Sequence, residues 1–383
     1  MIKLKDICEF IIDCPHSTAQ DEGKGYPLIR TPNIGKGRFN LEDVHRVSQT
    51  VYEKRNLRAT PQDNDLIFAR EAPAGNVAII KNGAKFCLGQ RTVLIRPNCQ
   101  YVYPDFLVYF LLAPQQQYGL LGTANGATVA HVNLPTIRDL EIILPALHIQ
   151  RRIADILSAY DDLIENNRKQ IKLLEEAAQR LYKEWFVDLR FPGHEHTRIV
   201  DGVPEGWEKE RLIDIADVQY GYPFDGSLFN SKKKGIPIIR IRNIPESQTD
   251  DYTTESADPQ YLVHNGDIVV GMDGEFHINS WAGDIAYLVQ RTCRIKPHNT
   301  DLNGFLFWAI FEPIKFFECT VVGATVAHLG KKHIDTIQIL VPKERLYFPF
   351  KVLFDKRLQL MLQNKKLTEA RDRLLPKLMN GDV

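Results

Sequence analysis

Several common sequence patterns are missing from this 383-residue chain, and each absence excludes a class of protein. There is no run of about 18 apolar residues and no signal-peptide pattern at the start, so we expect neither a membrane span nor secretion. The six cysteines form no C-x-x-C pair, and no His/Cys cluster has zinc spacing. Unpaired thiols in a chain without a leader are typical of the reducing cytoplasm.

An excess of charge of one sign is also missing. The chain carries 48 basic and 48 acidic residues, which argues against a protein that coats nucleic acid without specificity. The balance is uneven along the chain, because residues 191–345 carry 16 basic and 22 acidic groups whereas residues 346–383 carry 8 and 4. Any nucleic-acid site must therefore be a local cluster of cations and not a basic domain.

Catalytic motifs are the third absence. The sequence contains no G-x-x-x-x-G-K-[ST] phosphate loop, no [DNS]-P-P-[YFW] tetrapeptide of an amino-methyltransferase and no G-x-S-x-G nucleophile elbow. The pair Gly35 and Gly37 is more typical of a hairpin turn than of a dinucleotide cradle. Asp65 and Glu71 resemble a nuclease pair, but no E-x-K follows them. The sequence therefore favours a protein without chemistry of its own.

The most extended pattern that is present is an apolar stripe over residues 148–191. No Gly or Pro occurs from Ile149 to Arg190, and the apolar residues recur at three- and four-residue steps, which predicts one long helix. About 38 residues at about 1.5 Å each make a helix about 57 Å long, and such a helix needs a partner. Residues 347–383 carry a second stripe and predict that partner in an antiparallel coiled coil. The first stripe comprises Ile149, Ile153, Ile156, Tyr160, Leu163, Asn167, Ile171, Leu174, Ala178, Leu181 and Trp185.

A polar residue interrupts each of the two stripes. Shifting the second helix back by 197 positions places Asn364 on Asn167. A single Asn within an apolar seam fixes the register of two helices at some cost in stability. The alternative is that both amides face water.

The sequence contains an internal repeat, with one copy on each side of the first long helix. The matching segments are residues 25–34 with 235–244, Gln90-Arg91-Thr92 with Gln290-Arg291-Thr292, and the identical blocks 126–131 and 323–328. The offset between matches drifts from 210 to 200 to 197, which indicates loops of different length between shared elements.

Each copy predicts a mixed α/β domain, so the expected fold class is α+β, with two pseudo-repeated domains separated by two long helices. The predicted segments are a first domain (1–147), a spacer helix (148–191), a second domain (192–346, with a linker at 192–206) and a C-terminal helix (347–383). The predicted strands are Leu28–Arg30, Asp65–Ala69, Val77–Ile80, Thr92–Ile95, Ile236–Ile241, Asp267–Val270 and Ile285–Val289. The predicted short helices are Pro104–Leu112 and Leu302–Phe311.

Several segments resemble the specificity subunit of type I restriction–modification systems. Residues 185–193 (WFVDLRFPG) resemble the end of that family's central helical region, and residues 203–207 (VPEGW) resemble the entry to its second recognition domain. Residues 374–381 (LLPKLMNG) resemble the end of its C-terminal helix. Residues 13–18 and 221–224 resemble loops of its two recognition domains. The resemblance spans the whole chain.

The resemblance implies two target-recognition domains, each reading one half of a split, asymmetric target in double-stranded DNA. It also implies a chain that is not an enzyme and holds no cofactor. Two modification subunits would bring methyltransferase activity with S-adenosylmethionine, and restriction subunits would bring translocation and cleavage with ATP and magnesium. One DNA turn is about 34 Å, so a helix of about 57 Å could space two recognition domains along a duplex by more than one turn. The helix length would then set the gap between the half-sites.

Candidate DNA contacts are side chains with forked donors or amides, because Arg suits guanine whereas Asn and Gln suit adenine. Residues shared by both halves are poor candidates for a sequence code, so we expect phosphate or scaffold roles for Arg30, Asn33, Arg91, Arg240, Arg242, Asn243 and Arg291. Residues that differ between the halves are better candidates for base reading, namely His16, Ser17, Arg70, Glu71, Asp273, Glu275 and His277. The alternative is that the Arg residues pair with carboxylates inside each domain, the Asn residues hold turns and the acidic loop residues are solvated.

Two further pairs have competing explanations. His131 and His328 end the identical blocks, and we expect both imidazoles to be buried and hydrogen-bonded. Trp185 and Phe186 are large for a helix end. They either cap the helix pair against the second domain or form a docking surface for the modification subunits.

Two other functions compete with DNA recognition. One is a coiled-coil adaptor that binds only protein, and the matching polar loops of the two halves argue against it. The other is a self-contained DNA-modifying enzyme, and the missing motifs argue against that.

Overall fold

A computed structural model of the chain describes residues 2–122, 131–320, 328–342 and 345–381. The fold divides into two compact units: unit 1 comprises Met1–Ile164 and Leu367–Val383, and unit 2 comprises Glu165–Lys366. Both divisions fall inside the long helices and not at the ends of the helices. Each unit therefore combines one sequence repeat with a part of both helices.

Unit 1 is built from short strands and helices that precede the first long helix. Its described strands are β1 (Ile2–Lys3), β2 (Cys8–Asp13), β3 (Tyr26–Ile29), β4 (Arg46–Val47), β5 (Leu66–Ala69), β6 (Val77–Ile79), β7 (Cys87–Leu88), β8 (Thr92–Pro97) and β9 (Glu141–Ile142). Its described helices are α1 (Gln49–Arg55), α2 (Pro104–Leu112), α3 (Pro114–Leu121), α4 (Leu134–Arg138) and the first part of α5 (Leu147–Tyr182).

A four-stranded antiparallel sheet of order β2-β8-β5-β6 forms the centre of unit 1. Every residue of β5 and β6 is buried, as expected for apolar runs covered on both faces. Helix α2 supplies Phe106 and Leu107 to the same apolar cluster as Leu66 and Phe68. A smaller sheet, of order β4-β3-β7, adjoins it and pairs β3 with β7 in parallel.

Unit 2 repeats this plan after the first long helix. Its described strands are β10 (Ile199–Val200), β11 (Val203–Pro204), β12 (Glu208–Arg211), β13 (Ala216–Tyr220), β14 (Phe229–Asn230), β15 (Ile236–Ile239), β16 (Tyr252–Thr253), β17 (Leu262–Val263), β18 (Ile268–Gly271), β19 (Ile278–Ser280), β20 (Ala286–Leu288), β21 (Thr292–Pro297) and β22 (Gln338–Val341). Its described helices are α6 (Leu212–Ile215), α7 (Asn303–Thr320), α8 (Lys331–Ile334) and the first part of α9 (Phe348–Asn380).

The central sheet of unit 2 is again four-stranded and antiparallel, with the order β13-β21-β18-β19. The registers match as well, because Leu66 lies opposite Ile95 in unit 1 and Ile268 lies opposite Ile295 in unit 2. The parallel pair β3–β7 recurs as β15–β20. The internal repeat of the sequence is therefore a repeat of topology and of strand register.

Two equivalent glycines show why the repeat retains certain residues. Gly25 and Gly235 have φ values of 98° and 86°. A Cβ atom on Gly25 would lie 2.3 Å from the Val47 carbonyl oxygen, and one on Gly235 would lie 2.0 Å from that of Thr253. Both the backbone conformation and the close strand approach exclude a side chain at these positions.

The two long helices pair antiparallel in each unit. In unit 1, Ile153, Ala154 and Leu157 of α5 share an apolar cluster with Leu375 and Leu378 of α9. In unit 2, Ala178 near the end of α5 shares another cluster with Phe350 and Phe354 near the start of α9. The expected α+β fold, with repeated mixed domains and an antiparallel helix pair, is thus confirmed. Among the described residues, no helix is both long and apolar enough to cross a membrane.

Several details differ from the expectations. Helix α5 ends at Tyr182 and passes into a π-helical turn at Lys183–Val187, short of the predicted end at residue 191. Its predicted stripe is shifted in part, because Ile149 and Leu163 are 37% and 39% exposed whereas Leu157 is fully buried. The reason is that α5 packs against domain residues as well as against α9, which widens its buried face.

The short elements follow the predictions more closely. Helix α2 spans the predicted residues, whereas α7 extends nine residues beyond the predicted end at Phe311. The predicted strands are present with ends that shift by one or two residues. The Gly35–Gly37 segment is a hairpin turn, since the Gly35 amide donates to the Arg38 carbonyl at 3.0 Å and Ile34 bridges to Phe39.

Candidate nucleic-acid interface

A carboxylate, an arginine and a histidine meet at the end of the central sheet in unit 1. The Nδ1 atom of His131 lies 2.7 Å from Oε1 of Glu71, and the Arg91 guanidinium lies 2.7 Å from the other oxygen of that carboxylate. The backbones of Glu71 and His131 also form an isolated bridge. These three residues are far apart in sequence, and the sheet brings them together.

The same cluster occurs in unit 2. The Nδ1 atom of His328 lies 2.5 Å from Oδ1 of Asp273, and Nη1 of Arg291 lies 3.3 Å from the second oxygen. Asp273 and His328 form the corresponding isolated backbone bridge. We call these two groups the carboxylate–Arg–His clusters. The remaining residues of the two identical blocks, 126–130 and 323–327, lie outside the described residues.

Each cluster presents an arginine held in an unusual conformation. Arg91 and Arg291 have φ values of 64° and 74°, in the left-handed region that side chains rarely adopt. Their carbonyls accept from the backbone amides of Arg70 and Met272 at 3.0 and 2.9 Å. The two arginine side chains are 57% and 52% exposed. The fold thus holds one half-exposed guanidinium at the same place in both repeats.

This geometry corrects the sequence comparison of the two halves. Glu71 corresponds to Asp273, so the carboxylate is shared between the halves, and Arg70 corresponds to Met272. The sequence hid this equivalence because its offset is 202 (273 minus 71), whereas the matched segments on either side have offsets of 210 and 200. Glu71 and Asp273 therefore do not distinguish the two domains, although Arg70 does.

Arg70 is poorly placed to contact a base. Its side chain is 11% exposed, and Nη1 lies 2.6 Å from the Asp13 carboxylate. Its Nε donates to the Val132 carbonyl at 2.9 Å, and its Nη2 lies 2.9 Å from Nε2 of His131. Because a guanidinium can only donate, Nε2 of His131 accepts and the proton lies on Nδ1, facing Glu71. Arg70 therefore positions the histidine.

The predicted burial of the two histidines is wrong. The side chains of His131 and His328 are 37% and 48% exposed. Both are hydrogen-bonded as expected, but the partner is a carboxylate just past the end of an internal strand and not a group in the core. This pairing depends on strand ends that meet only in the folded chain.

The Arg–Asn segments that follow β3 and β15 form a second matched pair. The Asn33 side chain accepts from the Arg30 amide at 3.1 Å, and that of Asn243 accepts from the Arg240 amide at 2.9 Å. Each Asn therefore holds a short 3-10 turn, as the alternative explanation expected. We call these the Arg–Asn turns; they are Arg30–Asn33 and Arg240–Asn243.

The arginines of these turns differ in their surroundings. The exposed Arg242 forms an ion pair with Asp251 at 2.6 Å, and the Arg240 guanidinium lies 5.9 Å from the centroid of the Phe229 ring. The Nε atom of Arg30 is buried and has no hydrogen-bond partner among the described residues. An ion-paired guanidinium can still reach a phosphate, but the pair must open or share its donors.

Other candidates lie on the loops. His16 is 71% exposed and lies 3.3 Å from Asp13, and the Ser17 hydroxyl accepts from the buried Arg55 at 3.3 Å. His277 is 26% exposed and lies 3.6 Å from Glu275, whose side chain is 65% exposed. These residues remain candidates for base contact, with His16 and Glu275 the more accessible.

The structure brings Asn167 and Asn364 together within unit 2. The Asn167 amide donates to the Asn364 side-chain oxygen at 2.9 Å and to the Gln363 oxygen at 3.2 Å. Asn167 is 2% exposed. A buried amide paired across two helices is the geometry that a register-setting residue requires.

The two aromatic residues proposed for docking behave differently from each other. Phe186 is 7% exposed and packs with Trp207, Phe305 and Phe350 in the core of unit 2. It is therefore not available to a partner in the folded unit. Trp185 is partly buried and packs edge-on against Phe350. Both residues cap the helix pair against the second domain, and docking of a modification subunit on the partly exposed Trp185 stays a prediction.

The described residues offer neither a metal-binding site nor a reactive thiol among Cys87 and Cys293. No group of His, Cys, Asp and Glu there converges in a way that could hold a metal ion. Burial raises the pKa of the Cys87 thiol to about 11 and that of Cys293 to about 12. These cysteines are protonated at neutral pH and serve as packing residues.

Comparison with known proteins decides the family. The family model described as "Type I restriction modification DNA specificity domain" matches residues 1–176 and 204–345. The chain belongs to this family. The two matched segments coincide with the two halves of the repeat, and together they cover most of the chain.

Named relatives agree with this assignment. The MjaIX type I restriction enzyme specificity subunit of Methanocaldococcus jannaschii is 26% identical over 405 aligned positions, which cover 100% of this chain and 92% of the relative. The HindI specificity subunit of Haemophilus influenzae is 21% identical and covers 83% of this chain and 86% of the relative. The solved S subunit of M. genitalium has a TM-score of 0.56 at 16% identity, covering 98% and 95% of the two chains, and shows the shared fold.

As a type I specificity chain, this protein serves DNA-target recognition and is not the catalytic subunit. The carboxylate–Arg–His clusters and the Arg–Asn turns then become the matched polar features of its two recognition domains. Sequence inspection identified the arginines and histidines of these sites but missed that Glu71 and Asp273 hold them. The identical blocks that end in His131 and His328 were the signal for these carboxylates, because a histidine present in both halves is expected to have an equivalent partner in each half.

Proposed function

We propose that the chain reads a bipartite target in double-stranded DNA, with one half-site for each recognition domain, and presents it to two modification subunits. The observation that carries the proposal is the duplicated carboxylate–Arg–His cluster, with a half-exposed arginine at the same place in both halves. Two half-sites of different sequence have the sugar-phosphate backbone in common, so a side chain repeated in both domains is suited to contact that backbone. Arg91 and Arg291 are therefore assigned to phosphate.

Base reading is assigned to polar loop residues that differ between the halves. His16 and Ser17 lie after β2 in the first domain, and Glu275 and His277 lie in the β18–β19 hairpin of the second. A carboxylate accepts from cytosine N4, and an imidazole can donate to purine N7. Arg70 and Asp273 act behind these residues as supports, because both are tied into the clusters.

The remaining chemistry is assigned to other chains. We expect S-adenosylmethionine on the modification subunits, and ATP with magnesium on restriction subunits that translocate and cleave DNA in the cytoplasm. The absence of catalytic motifs from the sequence supports this division of labour. The expected complex contains this chain, two modification subunits and restriction subunits.

A selection experiment tests the proposal. The full chain, assembled with modification subunits from its host, is incubated with random duplexes, and bound DNA is recovered and sequenced. Two short conserved blocks at a fixed separation are the expected result. A single continuous block, or no enrichment over the modification subunits alone, would contradict it. A protein-only adaptor would also give no enrichment.

A further inference from the structure

A buried arginine links the C-terminal helix to the second recognition domain inside unit 2. Arg357, on α9, is 7% exposed. Its Nε donates to Glu175 on α5 at 2.6 Å, its Nη1 donates to the Ser280 hydroxyl at 2.6 Å, and its Nη2 donates to the Asn279 side-chain oxygen at 2.7 Å. One guanidinium therefore joins both long helices to strand β19.

The contacts continue from β19 to the Arg–Asn turn. The Asn279 side chain, which accepts from Arg357, donates to the carbonyls of Ile244 and Pro245 at 3.1 and 2.8 Å. These two residues directly follow the turn Arg240–Asn243. Both Asn279 and Ile244 are buried, so the bond between them is shielded from water, whereas the bond to the exposed Pro245 is only partly buried. Two successive hydrogen bonds therefore connect the helix pair to the end of the turn.

A second set of bonds fixes the same segment. The Ser247 hydroxyl donates to the Ser280 carbonyl at 2.8 Å and accepts from the Ala282 amide. Ser247 is 1% exposed and has a φ of 53°, an uncommon value for serine that needs support from its surroundings. Ser280 is thus held by Arg357 through its hydroxyl and by Ser247 through its carbonyl.

Arginine is the side chain that this geometry requires. A planar fork with fixed donor directions can satisfy three acceptors at once, and its face lies 5.2 Å from the centroid of the Phe307 ring. A lysine at this position could keep a charge near Glu175 but could not reach all three acceptors. Burying a cation in this way is costly unless it is paired and hydrogen-bonded; here Glu175 supplies the opposite charge, and Ser280 and Asn279 each accept from one terminal nitrogen.

Unit 1 uses different residues for a related purpose. Arg38, five residues after Asn33, donates to Asp162 on α5 at 2.6 Å. The adjacent Asp161 accepts from Arg371 on α9 and from the Tyr109 hydroxyl at 2.6 and 2.7 Å. In both units a charged residue of the helix pair thus holds the segment that follows the Arg–Asn turn.

We propose that Arg357 is a positioning residue that fixes strand β19 against the segment after the Arg240–Asn243 turn through Asn279. It thereby orients the β18–β19 hairpin, whose Glu275 and His277 are assigned to the sequence preference of the second domain. The inference rests on the proposed function, because it presumes that unit 2 reads one half-site. It adds that the helix pair is part of the reading apparatus of this domain and not only a support between domains.

Two variants in the full chain test the inference. Arg357→Lys keeps the charge beside Glu175 and removes the fork to β19, while Asn279→Ala keeps Arg357 and removes the relay to Ile244 and Pro245. Lys365→Gln is the matched control, because Lys365 also joins α9 to the second domain but pairs with the exposed Asp284 at 2.6 Å. Each chain is assembled with modification subunits and put through the random-duplex selection.

Both test variants are expected to lower discrimination at the half-site of unit 2 by about tenfold, the scale of one lost base contact. The half-site of unit 1 should keep its preference, and the control should behave as the parent. A purely structural role would lower total binding and leave both preferences unchanged, and this result would overturn the inference. Loss of both preferences together would overturn it as well.

Two further measurements distinguish the possible reasons for a negative result: thermal unfolding of each variant, and the selection with the unmodified parent chain. If Arg357→Lys does not fold, Asn279→Ala decides, since it leaves the arginine and its helix contacts in place. A parent chain that selects no bipartite target would refute the proposed function. A parent that selects two half-sites, with variants that select the same two equally well, would refute only the role of Arg357.

Discussion

Arg91 and Arg291 show how a residue shared by two recognition domains can be told apart from one that carries sequence information. Both occupy a left-handed backbone conformation, both are half exposed, and both are held by a carboxylate that also binds a histidine. Strain of this kind is retained where the surroundings enforce it, often at functional sites. Because the two arginines have the same conformation, similar exposure and an equivalent ion-pair partner in both halves, a contact with phosphate explains them better than a contact with a base.

Replacing Arg91 by Gln is expected to weaken binding to all duplexes alike. The slope of log affinity against log salt concentration should become shallower by about 0.9, since one phosphate contact is lost. Filter binding of the assembled complex over a salt series measures this, and Arg291→Gln should give the same change. Arg180→Gln, at an 82% exposed position on α5, serves as the control. A loss confined to one sequence would identify Arg91 as a base reader.

At the scale of elements, the helix pair combines an apolar seam with a few buried polar contacts. Asn167 and Asn364 pair in unit 2, and Asp161 and Arg371 pair in unit 1. Burial and then the negative charge of Asp161 raise the pKa of the Tyr109 hydroxyl, so Tyr109 remains a donor to that carboxylate at neutral pH. Such contacts have strict geometry, and they favour one alignment of the helices over a slipped one.

Asn167→Ala is expected to destabilise unit 2 because it leaves the Asn364 amide without its partner inside the seam. The cost should be about 1–3 kcal/mol, which corresponds to a fall of roughly 2–10 °C in the melting temperature of a unit of this size. Differential scanning calorimetry measures it. The adjacent, exposed Asn166→Ala should leave the melting temperature unchanged.

The double variant Asn167→Leu with Asn364→Leu completes this test. It should melt at or above the parent temperature, since an apolar pair fills the seam while the register loses its polar constraint. An equal fall for the single and double variants would show that the amide pair does not act as a unit.

At the scale of the whole molecule, the equal numbers of basic and acidic residues limit what the chain can do alone. Non-specific DNA binding depends on neutralising phosphates with cations, and here an equal number of carboxylates offsets the cations, with Arg91, Arg242 and Arg291 themselves ion-paired. The sites described above therefore suit positioning and reading more than they suit strong attraction to DNA.

The isolated chain is accordingly expected to bind random duplexes weakly, with little dependence on salt. Addition of modification subunits should raise affinity for the selected target by about a hundredfold, because further phosphate contacts come from those chains. Electrophoretic mobility shifts with and without the subunits measure this. Tight, strongly salt-dependent binding by the isolated chain would show that cations of this chain dominate the interaction.

The sequence by itself determined the parts that depend on local order. Periodic apolar residues without Gly or Pro specified the two long helices, and the recurrence of identical blocks in the same order specified two domains of one fold. The alignment of Asn364 with Asn167 was also readable, because equivalent positions of two antiparallel helices meet at the centre of the pair, and both Asn residues lie near the middle of their helices.

Only the tertiary structure decided which polar residues meet. Glu71, Arg91 and His131 are separated by tens of residues, and the changing offset of the repeat hid the equivalence of Glu71 and Asp273, which the strand registers reveal. Arg357 gave no signal in the sequence, since an arginine on an amphipathic helix is usually solvated. Its role depends on burial beside Asn279 and Ser280, and burial is a property of the packed chain that local sequence order does not encode.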